Sequence, residues 1–98
     1  MYAVIFRAEI NVLDKTYSEM APRLRDLAKS TYGCVEFTAL TDGDQEIAIS
    51  YWNTLDQIKA WTNDPEHQKA QALGKSKWYK AYRVQVSEII HTLFPPGA

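Results

Sequence analysis

In the stretch DPEHQKAQALGKSKWYKAY, residues 64–82, His67, Gln71, Gly74 and Trp78 follow one another at spacings of 4, 3 and 4, with Tyr82 just beyond. On a helix those intervals put the four residues along one face. A core stripe would favour Leu, Ile or Ala, and a solvent face would not carry a tryptophan. The mixture suits a pocket wall, with Gly74 permitting close approach and His67 able to accept a proton near neutral pH. Trp61, six residues ahead of His67, and Trp52, at the end of an apolar alternating run, supply further aromatic surface. His67 is thus the candidate proton acceptor, and Trp52, Trp61, Gln71, Trp78 and Tyr82 are the candidate substrate-binding residues. The plainer reading makes the three tryptophans core packing, His67 an exposed or locally bonded first-turn residue, and Gln71 a surface amide.

Little else in the chain is equipped for chemistry. With 98 residues, 46% hydrophobic and 23% charged, it reads as one globular domain, with a core over 1–91 and a tail over 92–98. A chain this short leaves much apolar surface uncovered on folding, which favours a homodimer. The net charge of −1 is dispersed and offers no basic face for nucleic acid. The single cysteine, Cys34, cannot form an internal disulfide and reads as a buried, unreactive thiol. The two histidines, His67 and His91, lack an acidic motif at ligand spacing, so no metal is expected. The first residues, MYAVIFRAEI, lack a basic leader and a cleavage site and read as a strand, so no membrane partner and a cytoplasmic location are expected.

Local signals define the elements that would position these residues. Residues 2–10 are a strand with Tyr2, Val4, Phe6, Ala8 and Ile10 on one face, while Arg7 and Glu9 make the other face polar towards its end. Asp14 or Thr16 caps a helix to about Ser30, with Pro22 requiring either a late start near Glu19 or a kink. Gly33 suits the left-handed residue that closes this helix. Residues 34–53 alternate on either side of Asp42-Gly43-Asp44 as a β-hairpin. Thr54 and Gln57 form a capping box for a short helix ending near Asn63. Asp64 and Pro65 then start a further helix, expected to run to Ala81. YRVQVSEII, residues 82–90, is the last strand, and Pro95 and Pro96 hold an extended tail.

The order β-α-β-β-α-β, with the second helix broken at Asp64-Pro65, is that of an α+β ferredoxin-like domain with a four-stranded antiparallel sheet and helices on one face. Both alternations of the hairpin strands carry apolar residues, and the chain has no spare element to cover a second sheet face. A second copy is the economical cover.

Residues 49–89, with SYW ending a strand, AW shortly after, EHQKAQ and the tyrosine opening the last strand, resemble the second half of the antibiotic biosynthesis monooxygenase family. The first strand resembles that family's as well. The resemblance implies a dimeric α/β barrel and a cavity between sheet and helices in each protomer. There a small phenolic or quinol-like aromatic would be oxidised by O₂ without cofactor. The alternative is a non-catalytic small-molecule-binding or stress-related protein of the same fold. The haem-degrading branch needs an asparagine in the first strand and a histidine ten residues after the tryptophan; here stand Arg7 and Gln71, which speaks against haem ligation of that kind.

Overall fold

The computed structural model describes residues 1–93, so the part of the expected tail that holds Pro95 and Pro96 lies outside the described residues. Its elements run β1 (Tyr2–Ile10), α1 (Lys15–Thr31), β2 (Glu36–Asp42), β3 (Gln45–Trp52), α2 (Leu55–Thr62), α3 (Pro65–Leu73), a π-helical turn (Gly74–Trp78) and β4 (Tyr79–Glu88). The strands form one antiparallel sheet in the order β2-β3-β1-β4, the ferredoxin-like arrangement. None of the described helices is long and apolar enough to cross a membrane.

Register decides which side chains face the helices. Phe6 lies opposite Ala48 on β3 and Val84 on β4, and Ala8 lies opposite Glu46 and Tyr82. Because side chains alternate, Val4, Phe6, Glu46, Ala48, Ser50, Tyr82 and Val84 share the helix side, while Ile5, Arg7, Ile47, Ile49 and Tyr51 share the other. A core of Ala28, Cys34, Trp52, Ile58 and Trp61 fills one end of the space between sheet and helices. Cys34 is buried there, and burial pushes its thiol pKa up, as suits an inert core residue.

Most of the boundaries follow from local caps. Asp14 accepts from the Tyr17 backbone N–H at 3.0 Å and starts α1, so the late start near Glu19 does not occur. Pro22 sits within the continuous helix. Its missing N–H deprives the Ser18 carbonyl of a partner, but both residues are exposed and water can serve. Gly33 adopts φ +82°, and a Cβ there would lie 2.6 Å from Gln57 Nε2, so both the turn and the neighbouring cap need glycine. Gln57 is held in place by the Thr54 capping box.

The second half departs from expectation at one point. The helix from Pro65 ends at Leu73 rather than Ala81, and β4 begins at Tyr79 rather than Tyr82. The intervening residues wind more widely, with the Tyr79 N–H bonded to the Gly74 carbonyl. Gly74 makes this possible: a Cβ on it would lie only 3.1 Å from the Tyr79 ring. The wide turn buries Trp78, and its indole N–H donates to Asp14 Oδ1 at 3.1 Å. Lys77 pairs with the same carboxylate at 2.7 Å. Lys77 first, with the Tyr17 N–H and Trp78, holds the Asp14 pKa down at about 2, so the start of α1 is tied to the start of β4.

Candidate functional site

Between the sheet and the helices lies a cavity of about 410 Å³, within the usual size of small-molecule sites. Its floor is the helix side of the sheet, with Val4, Phe6, Ala48 and Val84. Its walls come from α1, α2, α3 and the π-helical turn. Among the expected site residues, Trp61, His67, Gln71, Trp78 and Tyr82 all line it. Trp52 does not. It is fully buried behind the wall, its ring 6.3 Å from that of Trp61 and its Nε1 donating to Ser50 Oγ at 2.8 Å.

The bend at Asp64-Pro65 brings Trp61 and His67 together although they belong to different helices. Asp64 caps α3 through the His67 backbone N–H and accepts from the Tyr32 hydroxyl at 2.6 Å, which anchors the bend to the end of α1. Tyr32 first, then backbone N–H groups, depress the Asp64 pKa, so the cap stays ionised. The His67 ring then stacks on Trp61 with centroids 4.1 Å apart. His67 Nδ1 lies 3.0 Å from the Trp61 backbone oxygen. A carbonyl only accepts, so Nδ1 carries the proton and Nε2 keeps its lone pair. Burial lowers the His67 pKa, outweighing the Trp61 carbonyl and the Asp64 charge, and keeps the imidazole neutral.

Gln71 and Trp78 are less available than their spacing implies. Gln71 Nε2 reaches the Thr62 carbonyl at 3.4 Å, and the Trp78 N–H is spent on Asp14. Trp78 contributes its face, edge-on to Tyr17 at 5.3 Å. Tyr82 is 40% exposed and stacks on Phe6 with centroids 6.0 Å apart.

Four further lining residues were not anticipated from spacing. Glu46, buried on β3, accepts hydroxyl hydrogen bonds from Tyr17 of α1 and, at 2.6 Å, from Tyr79 at the start of β4. Burial first, then the bond to Glu46, raises both tyrosine pKa values, so both stay protonated and donate. The available signal was the alternation of β3, which puts Glu46 on the same face as Ala48 and Trp52. Arg25 of α1 also lines the cavity, its guanidinium 5.7 Å from the Phe37 ring centroid. No group of three or more His, Cys, Asp or Glu among the described residues is placed to hold a metal ion.

This geometry can be set beside known proteins. YqjZ of Bacillus subtilis (strain 168), itself uncharacterized, is 36% identical over 89 residues, covering 90% of this chain and 78% of YqjZ. The chain belongs to the YqjZ family. No protein-family model matches it. Among solved structures, SnoaB, a cofactor-independent oxygenase from Streptomyces nogalater, is similar with TM-score 0.77 and 14% identity, over 94% of this chain and 95% of SnoaB. Rv0793 from Mycobacterium tuberculosis gives TM-score 0.79 and 12% identity, over 93% and 96% of the two chains. A structure of an antibiotic biosynthesis monooxygenase gives TM-score 0.66 and 14% identity, over 93% and 100%. The fold of this YqjZ relative is therefore that of the antibiotic biosynthesis monooxygenase-type proteins, in line with the resemblance read from residues 49–89.

Proposed function

We propose that the protein is a cofactor-independent monooxygenase that oxidises a small phenolic or quinol-like aromatic with O₂ in this cavity. The observation that carries the reading is the hydrogen bond from His67 Nδ1 to the Trp61 carbonyl, which leaves a neutral Nε2 acceptor in an aromatic-walled chamber. His67 takes a proton from the electron-rich substrate. The resulting carbanion passes one electron to O₂, and the radical pair combines to form a C–O bond and a peroxide. Breakdown of the protonated peroxide releases water and leaves a new carbonyl, so one oxygen atom enters the product. The protein holds the substrate flat between aromatic walls, excludes bulk water and moves one proton. Support comes also from the fold shared with SnoaB, described as a cofactor-independent oxygenase.

The reading includes a homodimer. Ile5, Ile47, Ile49 and Tyr51 lie on the sheet face opposite the helices, and a second copy of that face is the cover their burial calls for.

Oxygen consumption with a panel of anthrones and quinols, under air and with anaerobic controls, tests the activity. Protein-dependent uptake that is lost in His67→Gln is expected. No uptake across the panel sinks the reading.

A further inference from the structure

Two charged groups line the cavity without pairing. Glu46 has no cationic partner, and Arg25 has no carboxylate partner, among the ion pairs of the described residues. Glu46 is satisfied in part: two tyrosine hydroxyls engage one oxygen each, and a carboxylate has about four acceptor positions. Arg25 is not satisfied, since its Nε is buried and lacks any hydrogen-bond partner. Arg25 itself lines the cavity and has no ion-pair partner among the described residues, so the tip of its guanidinium is a place for a ligand's acceptor. Phe37, beside the Arg25 guanidinium, lies opposite Ser50, four residues along β3 from Glu46, so the two charges are separated along the cavity that both line.

We propose that Arg25 and the Glu46–Tyr17–Tyr79 cluster form a polarity-reading site that selects a hydroxylated aromatic acid. The anionic oxygens of the ligand meet Arg25, whose planar guanidinium matches a carboxylate in bidentate fashion. The ligand hydroxyl donates to the remaining acceptor positions of Glu46, which in turn repels a ligand bound the wrong way round. The aromatic body lies between Phe6 on the floor and Trp61 and Trp78 on the walls. Tyr17 and Tyr79 act as positioning residues, because they hold the carboxylate in one orientation without needing to touch the ligand. The inference rests on this cavity being the substrate site, and not on the oxygen chemistry.

Binding is measured anaerobically by titration calorimetry with 6-hydroxy-2-naphthoate, 2-naphthoate and 2-naphthol. Wild type is expected to bind the hydroxy acid about tenfold or more tightly than either probe missing one group, the range of a charge-assisted hydrogen bond. Arg25→Met removes the preference for the two acids and leaves 2-naphthol within about twofold of wild type. Glu46→Gln removes the advantage of the hydroxy acid over 2-naphthoate. Equal affinity for the three probes in wild type, or no binding, overturns the inference whether or not the variants fold. Equal weakening of 2-naphthol and the acids in Arg25→Met also overturns it. Selective binding without oxygen consumption by any aromatic tested leaves this site standing and removes the oxygenase reading.

Discussion

His67 Nδ1 sits 3.0 Å from the Trp61 backbone oxygen while the two rings stack with centroids 4.1 Å apart. One neighbour thus sets the tautomer, the ring orientation and the dryness of the imidazole. His67→Gln is expected to lower kcat by about a hundredfold or more, the usual contribution of a positioned base. A loss confined to KM would assign His67 to binding instead.

The same burial makes a stability prediction. Its pKa is held below the ordinary 6.5, so on acidification the unfolded chain takes the proton first. The His67 contribution is therefore complete above pH 6.5 and is lost as pH falls through the lower folded value. Thermal midpoints recorded between about pH 7.5 and 5 should fall more steeply for wild type than for His67→Gln. Parallel profiles would contradict this.

Tyr17 and Tyr79 titrate in the opposite sense. Burial and Glu46 raise both above the ordinary 10.0, so their contribution to stability is complete below pH 10 and is lost as pH rises towards the folded values. In an ultraviolet phenolate titration, wild type and Tyr79→Phe should match up to about pH 11 and diverge only on alkaline unfolding. A smaller signal for Tyr79→Phe at lower pH would place its hydroxyl in ordinary surroundings.

Trp52 separates packing from binding. It is fully buried and stands behind Trp61, so Trp52→Ala is expected to cost about 3–5 kcal/mol in urea unfolding, and Trp52→Phe less. Trp52→Phe should leave the KM for an oxidised aromatic within about twofold. A large change in KM with undiminished stability would move Trp52 to the site.

On the helix-free face, Ile49 lies opposite Ile5. Sedimentation equilibrium should give twice the monomer mass for wild type at micromolar concentration. Ile49→Asp should give the monomer mass, because a carboxylate there would be buried unpaired in the interface. A monomeric wild type would remove the dimer.

Devices closed within a few residues were legible without coordinates. The Thr54–Gln57 capping box, the Asp64-Pro65 start of α3, the glycine at 33 and the hairpin turn at Gly43 all act between near neighbours, through hydrogen bonds or backbone conformations that residue type dictates. Alternation and element order then led to the ferredoxin-like sheet. The face of His67, Gln71, Gly74 and Trp78 was legible too, and all four line the cavity.

The extent of the last helix was not legible. A regular helix from Pro65 to Ala81 satisfies the same local preferences, and only the contacts of Trp78 with Asp14 and of Gly74 with Tyr79 favour the wider turn. That turn brings Tyr79 into the strand and within reach of Glu46.

By itself, then, the sequence determined the elements, their order, the break before His67 and the aromatic character of the cavity wall, because propensity, capping and periodicity are near-neighbour effects. Tertiary structure alone decided which polar groups meet. Glu46 lies 29 residues from Tyr17 and 33 from Tyr79, and joins them only through sheet register and helix packing. The Nε of Arg25 is likewise buried without a partner only because α1 packs against the rest of the fold.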